Sequence, residues 1–511
     1  MTGFDAMIAG VRGRRRVIGG GLVLDETGEG ARLDIVVAGD TIEAIVPPSA
    51  SADIGDVERI DASGFAIIPG LVNAHTHGHG GLSKGSGDRW TLELFLNAGG
   101  WVGGNRSDED RHLATLLAAC EMLLKGCTAC FDLSLAVPLP TYGAMAAASQ
   151  AYFDAGMRAV VAPMIGDIHF YRALPGLIEA APDGLRQDME RAAVTAGASI
   201  LPALAVIAKE WSFPADRVRL GIAPTIPLHS TDEFLLGCDA IARDRGLALQ
   251  THLAESPVQA AAAQRRYTRS VTAHLAALGL INERFSGAHG VWLDEDDMRL
   301  IGNRGGSIAH NPGSNLRLGS GIADVRALLH NGVNVGVGTD GAASADGQNM
   351  FEAMRLACNL SRIQGRAPQD WLGAKDAIRL ATEGSARVLG THDSIGRIAP
   401  GFKADLVFLD LGHINYTPLN RLINQVVHVE DGNAVTHVMV GSEMVVKDRQ
   451  LVKVNMAVLG RQAAVAAERL REANAATRAA AERLAPFIGR FCHSLACGCR
   501  TKVRRQLENV P

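Results

Sequence analysis

Residues 69–81 read PGLVNAHTHGHGG, which is a short apolar run, three histidines at alternate positions and then two glycines. The apolar run predicts a buried strand. Residues two apart in a strand point to the same side, so His75 and His77 can both present their imidazoles to one metal ion. His79 lies one step further along, and we expect it to leave the site. The alternative for this motif alone is a histidine-rich turn, so the interpretation depends on the rest of the chain.

Short apolar runs recur after this motif and alternate with helical stretches such as 111–126 and 270–280, whose apolar residues are three and four apart. The predicted strands are 65–72, 127–132, 158–163, 218–223, 247–251, 284–288, 306–309 and 333–338. This alternation predicts an α/β fold, a (β/α)₈ barrel of the TIM type. In such barrels the chemistry lies at the carboxyl ends of the strands.

The two ends of the chain have a different pattern. Residues 17–68 and 396–456 contain short strands separated by Gly, Asp and Pro turns. Chain termini often lie close together, so we expect these pieces to pair into one small β-sandwich. The Ala- and Arg-rich segment 457–485 is expected to be helical, and Pro486 is expected to end that helix. The predicted division is 1–68 and 396–456 for the β-sandwich, 69–395 for the barrel and 457–511 for a C-terminal helix and tail.

The composition is that of an ordinary globular protein. Of the 511 residues, 47% are hydrophobic and 20% are charged, and the formal net charge is only −4. This charge gives no electrostatic reason to expect nucleic acid or an anionic membrane as a partner. No segment approaches the roughly 20 apolar residues that a membrane-spanning helix needs. The 8 cysteines do not form a disulfide framework, so we expect a cytoplasmic protein.

Two more segments place metal-ligand side chains at predicted strand ends. His252 follows the fifth strand in LALQTHLAES (247–256), and Asp340 follows the eighth in VGVGTDG (335–341). Taken alone, the first favours a core histidine and the second a helix cap. Together with His75 and His77 they supply the N and O donors that Zn²⁺ or Fe²⁺ accepts. No lysine ends the fourth strand, where a modified lysine could bridge two ions, so we expect one ion.

Other polar residues lie near the same strand ends. His289 ends the sixth strand and can reach the same cavity, whereas Glu255 alone would be a solvated carboxylate at a helix start. We interpret the polar residues after the seventh strand as turn formers that bond to the backbone, with a substrate role as the alternative for His310; they are His310, Asn311, Ser314 and Asn315.

These motifs, in this order, resemble the amidohydrolase superfamily, in the branch that contains guanine deaminase, adenosylhomocysteine deaminase and the triazine hydrolases. The resemblance runs from about Leu22 to about Val452. It includes PGLVNAHTH, THLAES, GVGTDG, GRIAPGFKADLVFLD and the stretch HNPGSNLRLGSGIADV that begins at His310.

The resemblance implies a set of site residues and roles. The metal ligands would be His75, His77, His252 and Asp340. Asp340 would also take a proton from the attacking water, Glu255 would shuttle that proton, and His289 would contact the water or the substrate. The implied cofactor is one divalent metal ion, with Zn²⁺ preferred and Fe²⁺ as the alternative.

The preferred function is therefore hydrolytic deamination of an amino-substituted nitrogen heterocycle of purine, pterin, pyrimidine or triazine type. The alternatives are hydrolysis of a cyclic amide, hydrolysis of a ring carbon–halogen bond, or a non-catalytic scaffold. The chain departs from adenosine-type deaminases of this branch at two places: Thr225, not histidine, follows Pro224, and GWVGGN (100–105) carries no acidic residue. Both differences argue against an adenosine-like nucleoside. The expected partner is a small-molecule substrate, and a homodimer is allowed.

Overall fold

The computed structural model of the chain describes residues 15–51, 54, 55, 57–192, 194–345 and 347–507, with side chains described as far as residue 497. Residues 1–14 of the predicted N-terminal β-rich piece and residues 508–511 of the predicted tail lie outside the described residues.

Strands occur in three parts of the chain, and apolar or β-branched residues dominate most of them. The strands are β1 Arg15–Val23, β2 Ala31–Ala38, β3 Thr41–Val46, β4 Glu58–Asp61, β5 Phe65–Pro69, β6 Leu71–Thr76, β7 Cys127–Leu135, β8 Arg158–Ile165, β9 Val218–Leu220, β10 Ala223–Pro224, β11 Leu249–Leu253, β12 Phe285–His289, β13 Ser307–His310, β14 Asn334–Val337, β15 Leu406–Asp410, β16 Val435–Val440, β17 Glu443–Lys447 and β18 Gln450–Leu451.

Most helices of the described residues lie between the barrel strands, two lie between strands of the nine-stranded sheet, and two follow the last strand. They are α1 Pro48–Ser51, α2 Leu92–Val102, α3 Asp108–Leu124, α4 Tyr142–Ala155, α5 Phe170–Ala173, α6 Asp183–Arg191, α7 Gly197–Glu210, α8 Asp232–Arg245, α9 Pro257–Tyr267, α10 Val271–Ala277, α11 Glu295–Gly302, α12 Pro312–Arg317, α13 Val325–His330, α14 Met350–Arg362, α15 Ala374–Arg379, α16 Ser385–Val388, α17 Leu422–His428, α18 Met456–Ala473 and α19 Ala475–Leu507. Among the described residues, no helix combines the length and the apolar character needed to cross a membrane.

The central part of the chain is a closed parallel barrel, as predicted. β6, β7, β8, β9 and β10 form one parallel sheet, and β11 to β14 form a second one. A parallel bridge between Ile222 and Leu249 joins the two sheets on one side. On the other side the Asp340 amide donates to the His75 carbonyl at 3.0 Å, which links the last strand to the first. The fourth barrel strand is divided into the short strands β9 and β10.

The two β-rich pieces, one from each side of the barrel in the sequence, meet in one sheet of nine strands. The order is β18-β17-β16-β15-β5-β1-β2-β3, with β4 beside β1. β5, from the N-terminal piece, pairs antiparallel with β15, from the C-terminal piece. Buried residues of both pieces share one core, which includes Ile35, Ile67 and Phe408. The expectation that the ends pair with each other is therefore confirmed.

The predicted strand 65–72 is in fact two strands with different partners. β5 belongs to the nine-stranded sheet, and β6 is the first strand of the barrel. Gly70 lies between them, where a Cβ atom would lie 2.2 Å from Thr128 Oγ1, so only glycine fits. Both strands are largely buried, so their residues form one continuous apolar run in the sequence. The run therefore gave no sign that the chain passes from one sheet to another.

The prediction that Pro486 ends the C-terminal helix was wrong. The helical segment is interrupted at Asn474 instead, and Pro486 lies inside α19. The Asn474 side-chain amide donates to the carbonyls of Leu470 and Gly104 at the break between α18 and α19. A long helix packed against the rest of the molecule can accept the lost hydrogen bond of one proline.

Candidate metal centre

The four predicted ligands lie together at the carboxyl ends of the barrel strands. His77 Nε2 is 3.1 Å from Asp340 Oδ1, and His75 Nε2 is 3.5 Å from the same oxygen. His252 Nε2 is 3.2 Å from His77 Nε2. All four residues are at most 9% exposed. The first strand, the fifth strand and the loop after the eighth strand therefore converge on one buried point.

The hydrogen bonds of the histidines favour a cation at this point. The Nδ1 atoms of His75 and His77 donate to Gln250 Oε1 at 2.7 Å and to the Leu133 carbonyl at 2.8 Å, and His252 Nδ1 donates to the Thr225 carbonyl. In the neutral imidazole the other nitrogen, Nε2, then carries a lone pair. Lone pairs this close together repel each other unless an electrophile lies between them. His75 Nε2 is buried without a hydrogen-bond partner among the described residues, so this donor set fits a divalent metal ion.

Asp340 is fixed from several sides. Its Oδ2 accepts a hydrogen bond from Ser314 Oγ at 2.5 Å, and its Oδ1 accepts one from the Gly341 amide at 2.7 Å. Burial alone would raise its pKa, but the adjacent imidazoles of His75 and His77 outweigh that effect and hold the pKa well below its usual value. The carboxylate is therefore ionised, as a metal ligand must be.

Glu255 and His289 form a second pair beside the cluster, with Glu255 Oε2 3.5 Å from His289 Nε2. Burial raises the pKa of Glu255 well above its usual value, and the charges of Asp340 and Glu93 raise it further. Burial lowers the pKa of His289 to about 3, and its Nδ1 donates to Asn315 Oδ1 at 2.9 Å. These two shifts favour the protonated carboxyl of Glu255 and the unprotonated Nε2 of His289, which can accept a hydrogen bond from that carboxyl.

The prediction for Ser314 and Asn315 was wrong. Their side chains bond to Asp340 and to His289, so they orient the two site residues instead of the backbone of their own turn. The sequence could not indicate this, because serine and asparagine after a strand are common turn formers. The partners are 26 residues away in each case.

Sequence reasoning also missed Asp132, Tyr152 and Gln250. Asp132 Oδ1 accepts from the Gly78 amide at 2.8 Å, and Asp132 Oδ2 accepts from Tyr152 OH at 3.1 Å. Gln250 positions the ring of His75, and its amide donates to the Ala74 carbonyl at 3.1 Å and to Ser286 Oγ at 3.0 Å. The available signal was a polar residue inside an otherwise apolar strand, such as Asp132 in CTACFD.

A family model described as "Amidohydrolase family" matches residues 66–445. A 5-methylthioadenosine/S-adenosylhomocysteine deaminase of Syntrophobacter fumaroxidans is 31% identical over 441 residues, which cover 85% of this chain and 94% of the relative. A 5'-deoxyadenosine deaminase of Methanopyrus kandleri is 28% identical over 434 residues, which cover 85% of this chain and 91% of the relative.

Solved structures have the same fold. An adenosine deaminase from Xanthomonas campestris with bound zinc is 26% identical with a TM-score of 0.78, covering 90% of this chain and 99% of the other. An atrazine chlorohydrolase from Arthrobacter aurescens TC1 complexed with zinc is 24% identical with a TM-score of 0.76, covering 88% of this chain and 100% of the other. At 24% identity, the likeness to the atrazine chlorohydrolase concerns the fold alone. The family model matches well over half of this chain and relatives exceed 30% identity, and the chain therefore belongs to the amidohydrolase family, as its motifs predicted.

Proposed function

We propose that this protein hydrolytically deaminates an amino-substituted nitrogen heterocycle, with one divalent ion bound by His75, His77, His252 and Asp340. The observation that carries the proposal is the buried carboxyl of Glu255, whose Oε2 lies 3.5 Å from His289 Nε2 beside the ligand cluster and whose pKa burial raises. A deamination needs an acid that can protonate a ring nitrogen and later the leaving amine. The deaminase names of the relatives support the same reaction.

A bound ion would supply Lewis-acid activation of water, and the residues of the chain would do the rest. Asp340 takes a proton as the water oxygen attacks the carbon that bears the amino group. Glu255 gives its proton to the neighbouring ring nitrogen, receives the water's proton from Asp340 and transfers it to the amine. As the amine leaves, the remaining hydroxyl proton of the intermediate returns to Glu255. The carbon–oxygen bond forms, the carbon–nitrogen bond breaks, and ammonia leaves. His289, with its Nε2 directed at Glu255, orients that carboxyl between the two transfers.

Zn²⁺ is the preferred ion and Fe²⁺ the alternative, because both accept imidazole and carboxylate donors. Elemental analysis of the purified protein is expected to give about one ion per chain, as for a mononuclear site. A protein without metal after metal-supplemented expression would support the scaffold alternative.

Two places in the chain bear on the substrate class, Thr225 and residues 100–105. Thr225, not histidine, follows Pro224, and residues 100–105 include no acidic side chain. We therefore propose a substrate other than an adenosine-like nucleoside, although relatives carry adenosine-type names. The test is ammonia release from aminated purines, pterins, pyrimidines and triazines, each base paired with its nucleoside where one exists. Release from the nucleosides alone would contradict this choice, and chloride or ring-opened products would favour the alternative reactions.

Glu255→Gln tests the proton shuttle. We expect the turnover number to fall by about 10²–10⁴, the usual contribution of general acid–base catalysis, with metal content unchanged. Glu430→Gln is the matched control, because Glu430 is equally buried but its carboxylate accepts from the backbone amides of Asp431, Gly432 and Ala434. Equal turnover of Glu255→Gln and the unaltered protein would reject the shuttle role.

The homodimer stays a prediction, and light scattering on the purified protein measures it. An expected mass of twice 53.9 kDa would support the dimer.

A further inference from the structure

α2 carries two buried polar side chains on the same face. Glu93 and Asn97 are 4% and 7% exposed and lie four residues apart, so they project from the same side of the helix. α2 belongs to the excursion between the first barrel strand and α3, at the end of the barrel where the metal ligands lie. Buried polar groups in such a position are expected to make specific hydrogen bonds.

Glu93 contacts the turn that carries Glu255. Its Oε1 accepts a hydrogen bond from Ser256 Oγ at 2.6 Å. Ser256 caps α9 by accepting from the Gln259 amide at 3.1 Å, and Gln259 Oε1 accepts from the Glu255 amide at 2.8 Å. The backbone of Glu255 is therefore fixed by a short network whose outer member is Glu93.

Asn97 contacts two other parts of the molecule. Its Nδ2 donates to the Ala481 carbonyl in α19 at 2.9 Å, and its Oδ1 accepts from Tyr171 OH at 2.9 Å. Tyr171 lies in α5, after the third barrel strand. Asn97 therefore joins α2 to α19 and to the third βα loop.

α19 packs against both α2 and α9, the helix that begins two residues after Glu255. Leu484 and Ile488 of α19 are buried and belong to the same core cluster as Val258 and Ala262 of α9. The family match ends at residue 445, so α19 lies beyond it. Together these contacts connect the C-terminal helix to the turn that carries the proposed acid.

We infer that Asn97 and Glu93 are positioning residues, through which α19 fixes α2 and thereby the turn that carries Glu255. The inference rests on the proposed function only in that it takes Glu255 to be the proton shuttle. The C-terminal helix is thus part of the active-site structure and not only a cover on the barrel. Displacing an acid by about 1 Å can cost about a hundredfold in rate, so the effect is measurable.

The experiment compares Asn97→Ala and Glu93→Ala with Asn105→Ala. Asn105 also joins this loop to the C-terminal region, since its Nδ2 donates to the Ala473 carbonyl at 3.2 Å and to Asn474 Oδ1 at 3.1 Å, but it is not on the α2 helix. Hydrogen exchange at the Glu255 and Gln259 amides is expected to accelerate at least about tenfold in the first two variants and to stay unchanged in the control. Glu93→Gln retains an acceptor oxygen and is expected to restore the slow exchange.

The same variants separate this inference from the proposed function. With a substrate in hand, Asn97→Ala is expected to lower kcat by about ten- to a hundredfold, with a smaller change in KM and unchanged metal content. Tyr171→Phe keeps the ring, removes one bond to Asn97 and is expected to give a smaller change in the same direction. Faster exchange without any deaminase activity would overturn the function and leave this inference standing. Unchanged exchange at Glu255 and Gln259 in folded Asn97→Ala and Glu93→Ala overturns the inference, whatever the activity.

Discussion

Asp132 and Tyr152 hold the backbone on which His77 lies, although neither residue is a proposed ligand. The bond from the Gly78 amide to Asp132 fixes the peptide that follows His77, and Tyr152 fixes Asp132. A Cβ at Gly78 would lie 2.7 Å from Asp132 Oδ2 and from Tyr152 OH, so the backbone at Gly78 packs closely against both side chains. We expect Asp132→Ala and Tyr152→Phe to weaken metal binding by about 10- to 100-fold, the usual effect of losing an outer hydrogen bond of a metal site. Competition with a chromogenic chelator measures the affinity.

Tyr416→Phe is the control for this prediction. Tyr416 is 1% exposed, as buried as Tyr152, but it lies near Glu430 and not near the ligand cluster. Its replacement is expected to leave the metal affinity unchanged. If Asp132→Ala and Tyr152→Phe both retained the full affinity, neither hydrogen bond would contribute to the metal site.

Asp297 is expected to make the stability depend on pH. Burial raises its pKa from 3.8 to about 6, despite a hydrogen bond from Ser270. Because the pKa of Asp297 is higher in the folded chain than in the unfolded chain, its contribution to the unfolding free energy is fully present below about pH 4. This contribution is lost as the pH rises through about 6. Asp297→Asn should therefore flatten the decline of the unfolding free energy between pH 4 and 7, by about 2 kcal/mol. Denaturant titrations over this pH range measure the difference.

Asp393, whose side chain is 93% exposed, provides the comparison. Asp393→Asn should follow the pH dependence of the unaltered protein. A parallel curve for Asp297→Asn would show that folding leaves the pKa of Asp297 unchanged.

The sequence predicted the four proposed ligands because each ends a recognisable apolar run and carries a side chain with donor chemistry. It did not predict Gln250, Ser314, Asn315 or Asp132, because their roles depend on partners far away in the chain. Their residue types are common in turns and strands, so only the fold distinguishes them.

At the scale of elements, Pro486 is a position at which the stability of α19 can be raised. The residue is exposed and lies inside the helix, where its ring removes one backbone hydrogen bond. We expect Pro486→Ala to stabilise the protein by about 1–3 kcal/mol and to raise the Tm accordingly. Differential scanning calorimetry provides the measurement.

Pro368 begins a short 3₁₀ turn, a position where proline costs nothing, so Pro368→Ala should bring no such gain. A lower Tm for Pro486→Ala would mean that the proline sets a bend on which the contacts of α19 depend.

The elements themselves were predictable where local pattern decides them. Apolar runs marked most barrel strands to within about three residues, because a parallel strand is buried on both faces. The boundary between β5 and β6 and the continuity of α19 were not predictable. In both cases packing against distant residues outweighs the local sequence pattern. Gly70 packs against Thr128, and α19 packs against α2.

At the scale of the whole molecule, one buried ion pair connects the barrel to the nine-stranded sheet. Arg158 Nε and Nη2 contact the two carboxylate oxygens of Asp405 at 2.9 and 3.1 Å, and the Gly441 amide also donates to Asp405. We expect Arg158→Ala to lower the unfolding free energy by about 3–5 kcal/mol, because it leaves a buried carboxylate without its partner. Denaturant unfolding measures this loss.

Arg217 and Glu443 form a matched exposed pair between the same two parts, 3.4 Å apart and 26% and 35% exposed. Arg217→Ala should cost less than about 1 kcal/mol. Similar losses for both variants would mean that the Arg158 pair is no better shielded from solvent than the exposed one.

The hydrogen bond from the Asp340 amide to the His75 carbonyl joins residues from the two ends of the barrel, and Thr76 and Asp340 are 264 residues apart in the chain. A ribosome adds about 5–20 residues per second, so the carboxylate is synthesised roughly 13–50 s after the first histidine pair. Until then the nascent chain carries first two and then three of the imidazoles, without the carboxylate of Asp340. If the four residues bind a metal ion as proposed, tight uptake would wait until the last strand of the barrel has been translated, and a metal-loaded molecule would be one whose barrel was made in full.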